Sequence, residues 1–249
     1  MSRADIAAVI TAHNEGDLAK VSMRSLQEAV AQARAAGLTV EVLAVLDNPD
    51  DETVAAFEDV PAGVRVERVS FADQGHVRNH AVSVTDSDYL AFLDGDDLWT
   101  ENWLVDAFDV CGRDPGRVIA HPEVNWFFGH QHNLYFLADQ DDPEFDPAFA
   151  RIANPWDALC MAPRSAHADH PYADRAVADG YAYEDWHWNL ETLVAGYRHL
   201  VAPQTIHFKR RRKKSQFMAA RDAWVITRPS ELLTYRWWSE RDGRDDSSA

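Results

Sequence analysis

The sequence predicts an α/β fold, with one domain in which helices cover both faces of a mostly parallel central sheet. Three observations predict it. Strand-length apolar runs alternate with segments of helical periodicity, the runs are almost continuously apolar, and polar turns follow them. Continuous apolar runs are typical of strands buried on both faces, and parallel strands are joined by helical crossovers. The length of 249 residues fits one domain with a modest extension.

Nine elements are predicted in the first half of the chain. In order they are strand 6–10, helix 18–33, strand 40–46, helix 53–57, strand 64–69, helix 75–84, strand 89–93, helix 100–111 and strand 117–121. The first helix is indicated by apolar residues from Leu18 to Ala33 at helical spacing, and Gly37 supplies its C-terminal stop. The strands are short, mostly apolar runs of the length expected for buried strands.

The pattern becomes irregular from about residue 122 to 180, where aromatic residues mix with Asp and Pro. We interpret this stretch as loops and a short excursion that forms a second wall beside the sheet. A helix at 181–195 follows, and a strand at 199–208 leads into the basic run 209–214. The final residues, 240–249, are polar and are expected to fray.

Charge excludes one broad class of protein. The formal net charge is -17 and the pI is near 4.9, which argues against a general nucleic-acid binder because such proteins need a basic footprint. The run Lys209-Arg-Arg-Arg-Lys-Lys214 is the exception. We expect it to meet an anion, which is either a ligand or the acidic rim of the protein itself.

Composition also bears on location. Two cysteines, Cys111 and Cys160, are too few for a disulfide scaffold and predict small core residues in a reducing compartment. The N-terminus lacks the apolar segment of a signal peptide, and no apolar run approaches the ~20 residues of a membrane helix. We therefore expect a soluble, cytoplasmic protein, and peripheral contact with the inner face of a membrane stays open.

The residues Asp94-Gly95-Asp96-Asp97 directly follow the strand at 89–93 and are the most informative stretch of the chain. Three carboxylates within four positions repel one another unless a cation or a hydrogen-bond network compensates. A hard divalent cation such as Mg2+ or Mn2+, itself bound to phosphate oxygens, is one compensation. The alternative is a solvated acidic turn in which an Asp caps the following helix.

Polar residues at the ends of three predicted strands indicate a ligand site. Residues 11–15 follow the first strand, Asp47 follows the second, and the acidic turn follows the fourth. Ligands of such sheets collect at the carboxyl ends of the strands. We therefore expect these clusters to share one crevice.

Five segments, in order, resemble the motifs of the family 2 glycosyltransferases, which have the Rossmann-like GT-A fold. The segments are Ile10-Thr-Ala-His-Asn-Glu15, Val45-Leu-Asp-Asn-Pro-Asp-Asp51, Gly75-His-Val-Arg-Asn-His-Ala81, Asp88-Tyr-Leu-Ala-Phe-Leu-Asp-Gly-Asp-Asp97 and Tyr183-Glu-Asp-Trp186. The resemblance covers about residues 5–215 and includes the D-x-D and E-D motifs of the family.

The resemblance implies an inverting, metal-dependent enzyme that moves a sugar from a nucleotide-diphosphate sugar to an acceptor hydroxyl. Asp96 matches the residue that binds the divalent ion, Mn2+ or Mg2+, and His207 is a candidate further metal ligand. Asp97 is assigned instead to capping the next helix. The residues implied in nucleotide-sugar binding are Thr11, Asn14, Glu15, Asp47, Arg78, Asp94 and Gly95. The alternatives are that Arg78 is an exposed, ion-paired helix residue and that His207 is only partly buried.

Asp185 matches the catalytic base of the family. Inverting transfer needs a carboxylate opposite the leaving group to take the proton of the attacking hydroxyl. The alternative is that Glu184 and Asp185 only stabilise the first turn of a helix. Glu184, Trp186 and Trp126 are candidates for contacts with the acceptor, which is a glycan, a lipid-linked molecule or a small molecule. His121 and its neighbours in the aromatic stretch are expected in the core or the acceptor wall.

The sequence departs from the family at the nucleotide pocket. His13 stands where the family has Tyr, Leu46 where it has Asp, and Asn48-Pro49 where it has Gly-Ser, which leaves the base preference open. The acceptor motif and membrane helices of processive synthases are lacking. This favours single addition, in the synthesis of surface glycans or glycoconjugates. The alternatives are a nucleotidyltransferase on a related sheet and a degenerate GT-A module that only binds a partner.

The resemblance also predicts the domain organisation. Residues 1–215 are expected to form the GT-A domain, with a nucleotide-sugar-binding half at 1–121. The acceptor-side half, with the catalytic base, is expected at 122–215. Residues 216–249 are expected to form a helical C-terminal extension with a frayed tail.

Overall fold

One mixed sheet of nine strands forms the centre of the protein, in a computed structural model that describes residues 3–212 and 216–241. The strands are β1 (Ala4–Ala12), β2 (Val40–Asp47), β3 (Val64–Val69), β4 (Ser87–Asp94), β5 (Leu98–Trp99), β6 (Val118–Gly129), β7 (Asn133–Phe136), β8 (Met161–Pro163) and β9 (Arg198–Arg211). The helices are α1 (Leu18–Ala35), α2 (Asp51–Ala56), α3 (Gln74–Val84), α4 (Trp103–Cys111), α5 (Arg164–Asp169), α6 (Glu184–Val194), α7 (Gln216–Asp222) and α8 (Tyr235–Arg241).

The first half of the sheet is parallel, in the order β3-β2-β1-β4. Its register aligns Thr11 of β1 with Val45 of β2 and with Asp94 of β4. The strand ends that carry the polar clusters are therefore level with one another. The alternation of strands and helices confirms the predicted α/β class.

The two faces of this parallel half bury alternate residues, as the two-residue period of a strand requires. Ile6 and Ile10 of β1 belong to a core cluster with Leu26 of α1 and Trp103 of α4. Val9 belongs to a second cluster, which includes Val77, Ala81 and Val82 of α3. Each fully buried side chain of this size contributes about 1.5–3 kcal/mol. The strand ends above this core are therefore held on a rigid platform.

The second half of the sheet is mixed. β8 pairs antiparallel with β4 and β6, whereas β6 pairs parallel with β9. β6 forms a hairpin with β7, so the prediction of irregular structure directly after residue 121 is wrong. The sequence pattern does not indicate a strand here because Pro122 lies inside it. Pro122 is accommodated at a break in the β6–β9 register, between Pro122 and Val124.

The predicted helix at 100–111 begins later than expected. β5 follows the acidic turn at once and pairs antiparallel with β9, and α4 begins only at Trp103. The prediction that Asp97 caps this helix is therefore wrong. The buried carboxylate of Asp97 accepts a hydrogen bond of 2.6 Å from the backbone N–H of Arg210, which ties the acidic turn to β9.

The basic run begins inside a strand rather than after one. β9 continues through Arg211, and Arg212 is the last residue described before the gap. Lys213 and Lys214 lie outside the described residues. The backbone of the strand thus fixes where the first cations of the run leave the sheet.

The described part of the C-terminal segment is helical, with α7, a 3-10 helix at Glu231–Leu233 and α8. Leu232 packs in one apolar cluster with Leu190 and Leu193 of α6. The predicted boundary after residue 215 stays a prediction, and most of the predicted frayed tail lies outside the described residues.

Both cysteines are buried and free, as the composition predicts. Burial raises the pKa of the Cys111 thiol to about 12, so this thiol stays protonated at neutral pH. Within the described ranges, no helix is long and apolar enough to cross a membrane.

Candidate active site

A cleft of about 490 Å3 lies at the carboxyl ends of β1, β2 and β4. The start of α6 and the end of β9 form its other side. The predicted residues that line it are Thr11, Glu15, Asp47, Arg78, Asp94, Gly95, Asp96, Glu184 and Asp185. The structure therefore brings the D-x-D and E-D residues, which are about ninety positions apart in sequence, into one site.

The glycine of the acidic turn is required by a close approach between two strands. The backbone N–H of Gly95 donates a hydrogen bond of 2.7 Å to the carbonyl oxygen of Thr11. A Cβ at this position would lie 3.0 Å from both that oxygen and the Cβ of Ala12. Any larger residue would push the acidic turn away from β1 and displace its carboxylates.

The carboxylate of Asp94 is held by three donors. Its Oδ1 accepts hydrogen bonds from the Thr11 hydroxyl at 3.2 Å, from the Gln74 amide at 2.6 Å and from the Arg78 guanidinium at 3.3 Å. This network explains how one carboxylate of the acidic turn is compensated. It also fixes the orientation of Asp94 at the floor of the cleft.

Asp96 and Glu15 share a cationic partner. The Arg212 guanidinium donates from Nε to Asp96 Oδ2 at 2.6 Å and from Nη2 to Glu15 Oε1 at 2.9 Å. Burial raises the pKa of the Asp96 carboxyl above its ordinary value; Arg212 opposes this rise and Asp94 adds to it. Two carboxylates from different strand ends thus converge on one positive group.

The residues at the acidic turn fit a hard divalent ion in the chemistry of their donors. Asp96 and Glu15 offer carboxylate oxygens, which Mg2+ and Mn2+ prefer, and they already hold a cation, the Arg212 guanidinium, between them. Among the described residues, no group of three or more His, Cys, Asp or Glu side chains is arranged to hold a metal. A metal at this position would have to take the place of Arg212.

His207 does not join this group, and its prediction as a metal ligand is corrected. Its ring is fully buried and packs edge-on against Trp103, with ring centroids 4.4 Å apart. Burial lowers its pKa to about 3, so the ring is neutral, and it does not line the cleft. A strand residue next to two buried tryptophans is drawn into the core rather than into solvent.

Three other predicted residues also lie outside the cleft lining. Trp126 is 43% exposed on β6 and lies beside Phe208, and Trp186 donates its indole N–H to the carbonyl oxygen of Ala150 at 2.7 Å. Asn14 accepts a hydrogen bond from the backbone N–H of Asp50 at 3.0 Å, which makes it part of the adjoining turn. Among the described residues, none of the three forms a hydrogen bond with the D-x-D motif.

His121 lies in the core, one of the two places expected for it. Its ring is fully buried and stacks on Trp156 at a centroid distance of 5.4 Å. Nε2 of His121 lies 2.9 Å from Nδ1 of His199. This pair therefore belongs to the packing beneath β6 and β9.

Asp47 organises the base of the cleft at the end of β2. Its Oδ1 accepts hydrogen bonds from the backbone N–H groups of Phe71 at 2.7 Å and Ala72 at 3.2 Å. Ala72 has a positive φ of 54°, which is a strained conformation for a residue with a Cβ. The carboxylate thus holds the loop after β3 in a shape that it would not adopt alone.

Arg78 connects the two motifs. It projects from α3, is only 4% exposed, and lies 3.3 Å from Asp94 and 3.5 Å from Glu184. Burial alone would lower the pKa of this guanidinium, but Asp94 and Glu184 raise it above its ordinary value. The interpretation of Arg78 as an exposed helix residue is therefore wrong, although its pairing with an Asp is present.

Asp185 lies in the first turn of α6, partly buried in the cleft and next to the like charge of Glu184. Burial, followed by the neighbouring Glu184 carboxylate, raises its pKa to about 7, and Arg78 opposes the rise. The Asn154 amide donates a hydrogen bond of 3.2 Å to Asp185 Oδ2, and Asn189 holds Asn154 in turn at 2.9 Å. A carboxyl group oriented in this way and poised near neutral pH is suited to proton transfer.

Sequence reasoning missed one partly buried ion pair of the cleft. Asp157 lies 2.8 Å from the Lys209 ammonium and also accepts a hydrogen bond of 2.8 Å from the Asn125 amide. Burial alone would raise the pKa of Asp157, but Lys209 holds it below its ordinary value. Asp157 lies in the stretch interpreted as irregular, where a single Asp before a short strand gives no distinguishing signal.

We expect Asp157→Asn to destabilise the protein by about 1–3 kcal/mol, because the partly buried Lys209 ammonium loses its nearest counter-charge and keeps Asp97, at 4.0 Å. The free energy of urea unfolding checks this. The matched control is Asp141→Asn, which breaks an exposed pair with Arg198 and should cost no more than about 1 kcal/mol. Equal losses in the two variants would contradict the prediction.

The fold defines a class, since solved GT-A glycosyltransferases share this architecture. A fragment of S. aureus TarS, residues 1-349, has a TM-score of 0.62 at 14% identity and covers 83% of this chain and 60% of that chain. The same fragment in complex with UDP-GlcNAc has a TM-score of 0.62 at 13% identity, and the match covers 86% of this chain and 61% of that chain. The mannosyltransferase PcManGT from Pyrobaculum calidifontis, in complex with GDP-Man and Mn2+, has a TM-score of 0.61 at 15% identity. This match covers 90% of this chain and 61% of that chain.

The sequence places the chain within that class. It matches the family "Glycosyl transferase family 2" over residues 7–153, more than half of its length, and the chain belongs to this family. No curated protein matches the sequence. The chain spans about three fifths of the length of the solved structures named above.

Proposed function

We propose that this protein transfers a glycosyl group from a nucleotide-diphosphate sugar to an acceptor hydroxyl, with inversion at the anomeric carbon and with Mn2+ or Mg2+. The observation that carries the proposal is the position of Asp185. Its carboxyl group, with a pKa of about 7, faces the same cleft as the carboxylates at the end of β4. One cleft would then hold both the nucleotide sugar, at the acidic turn, and the base that activates the acceptor.

Asp185 supplies the base. Inversion requires the acceptor oxygen to attack opposite the leaving diphosphate, so the proton must be removed on that face. The Asn154 amide and the first turn of α6 orient the carboxylate, and burial together with Glu184 keeps its pKa high. A base with a pKa near the working pH is half available in its charged form and still binds the proton firmly.

The donor side lies at the ends of β1, β2 and β4. Asp96 and Glu15 are the residues that would hold the divalent ion, which when bound neutralises charge on the leaving diphosphate. Thr11, Asp47 and Arg78 would surround the nucleotide. The neighbours bound to UDP-GlcNAc and to GDP-Man with Mn2+ support this kind of donor.

The acceptor side is proposed to lie along the start of α6 and the end of β9. Glu184 and the Asp157–Lys209 pair line this side and offer both charges to a hydroxyl-bearing molecule. We propose a glycan, lipid-linked or small acceptor in surface-glycan or glycoconjugate synthesis. In this division residues 1–121 bind the donor and 122–215 the acceptor, with 216–249 as an extension.

Nucleotidyl transfer is the weaker candidate. It usually needs a glycine-rich loop with a basic residue after the first strand to hold a triphosphate. The turn Thr11-Ala-His-Asn-Glu-Gly16 carries an acidic residue there, and Glu15 lines the cleft. A carboxylate at this position repels a free phosphate unless a cation lies between them.

The decisive experiment screens UDP- and GDP-sugars by thermal shift, with and without Mn2+, and follows the best donor for sugar transfer. We expect a Mn2+-dependent rise in Tm, because a ligand that binds the native state stabilises it. Asp96→Asn should weaken this binding by about tenfold or more, through the loss of one carboxylate ligand.

The matched control is Asp88→Asn, the same change at the other end of β4. Asp88 is half exposed and pairs with Arg3 at 3.1 Å, far from the cleft lining, so its replacement should leave donor binding unchanged. Release of pyrophosphate from a nucleoside triphosphate, with no binding of any nucleotide sugar, would overturn the proposal in favour of nucleotidyl transfer.

A further inference from the structure

Arg212 holds an unusual position at the acidic turn. Its guanidinium bridges Asp96 and Glu15, which come from two different strand ends, with contacts of 2.6 Å and 2.9 Å. The two carboxylate side chains are 13% and 10% exposed, whereas that of Arg212 is 37% exposed. The acids are therefore fixed parts of the cleft, and the cation covers them from the solvent side.

We propose that Arg212 is an internal counter-cation that competes with the divalent ion for Asp96 and Glu15, and so weakens metal binding in the nucleotide-free protein. The inference rests on the proposed metal dependence and extends it. It assigns the affinity for the metal to a residue of the basic run, outside the D-x-D motif.

The competition follows from geometry and charge. The planar fork of an arginine presents two donors at once, and here each donor engages a different carboxylate. A divalent ion held between Asp96 and Glu15 would occupy the space that the guanidinium of Arg212 now fills, since that group bonds to Asp96 Oδ2 and to Glu15 Oε1. Two cations in that space would repel each other, so the metal and Arg212 compete for the two acids.

The Arg212 side chain can leave the two carboxylates at little cost to its own packing. More than a third of its side chain is exposed, so the guanidinium can leave the carboxylates and regain water without unpacking the core. Asp96 and Glu15 would stay behind as an uncompensated pair of acids. That pair repels itself until a cation binds, which favours exchange of one cation for another over simple opening.

Once Arg212 has left the two acids, the phosphate oxygens of a nucleotide diphosphate can serve as its new partners. A guanidinium released from two carboxylates forms strong paired hydrogen bonds with phosphate oxygens. Metal and diphosphate arriving together would therefore compensate both the acids and the arginine. The metal alone compensates only the acids, and for this reason it should bind the nucleotide-free protein weakly.

The test measures Mn2+ binding to the whole chain, without nucleotide, from the EPR signal of free Mn2+. Arg212→Gln should tighten the Mn2+ Kd by about fivefold or more, because the competing cation is gone. Arg212→Lys should lie between it and the natural protein, since an ammonium group keeps the charge but cannot bridge both acids. Both variants change a partly exposed side chain and are expected to fold.

Arg210→Gln is the charge-matched control. Arg210 also lines the cleft on β9, but its guanidinium lies over the Phe128 ring at 4.6 Å. A gain in affinity confined to Arg212→Gln and abolished by adding Asp96→Asn supports the inference. An unchanged Kd, an equal gain in Arg210→Gln, or a gain that survives Asp96→Asn would overturn it. The donor screen decides the proposed function separately, because it needs no difference between these variants.

Discussion

Asp185→Asn is expected to lower kcat for sugar transfer by about 10²- to 10⁴-fold, the range that a positioned general base contributes. The amide has the same shape as the carboxyl group but cannot take the proton of the acceptor. Binding of the donor with Mn2+ should be unchanged, since the acidic turn lies on the opposite side of the cleft. Initial rates and donor affinity, measured together, separate the two effects.

The pH dependence provides a second measurement on the same residue. Only the deprotonated carboxylate can act as the base, and the pKa of Asp185 is about 7. The rate in the natural protein should therefore rise with pH through about 7 and level off above it. In Asp185→Asn the residual rate should lose this rise.

Stability should move in the opposite direction to activity. The pKa of Asp185 is about 7 in the folded protein and 3.8 for an ordinary carboxyl group, so the folded state binds more protons between these pH values. Stability is therefore lost as pH rises through this window. Asp185→Asn removes that loss and should have the higher Tm at pH 8. Full activity with an unchanged pH profile would contradict the assignment.

Glu191→Gln is a suitable control for this series. Glu191 is an acid on the same helix, and it lies 4.0 Å from His187 rather than in the cleft. Its replacement removes one negative charge from α6 without touching the proposed base. The rate and its dependence on pH should both stay close to those of the natural protein.

The order and type of the elements in the parallel half could be predicted from the sequence, and their bounds to within two residues. Strand 64–69 has the predicted bounds, and β2 is longer than predicted by one residue, Asp47. Strands buried on both faces need continuous apolar runs, and such runs leave a clear pattern. The polar residues after them converge because parallel strands end at one edge, which is why Asp94 and Glu15 meet in the cleft.

The mixed half could not be predicted in the same way, because its contacts are set by partners distant in sequence. Asp97 caps no helix, since β9 supplies an N–H from more than a hundred residues away. His207 turns toward Trp103 because α4 packs against β9. Asp157 gains its role only when Lys209 reaches it at 2.8 Å. Local patterns carry no trace of such pairings.

Loss of the Arg78 guanidinium should cost the protein a large part of its stability. Arg78→Met removes the cation that lies within 3.5 Å of both Asp94 and Glu184. Arg175 stays 3.7 Å from Glu184, so we expect a cost at the lower end of the range for breaking a buried pair on one side, about 3 kcal/mol. Urea unfolding should show this loss. Arg65→Met is the control, since Arg65 is largely exposed and pairs with Glu67 at 3.5 Å, so its removal should cost no more than about 1 kcal/mol.

Arg78→Lys separates the effect of Arg78 on the stability of the protein from its effect on the pKa of Asp185. A lysine keeps the positive charge but lacks the fork that reaches both Asp94 and Glu184, so it should fold with a smaller loss. Arg78 holds the pKa of Asp185 down, and a less well placed cation should let that pKa rise. The midpoint of the pH-rate profile should therefore move above that of the natural protein. An unshifted midpoint, together with a normal urea transition in Arg78→Met, would show that Arg78 does not couple the acidic turn to the base.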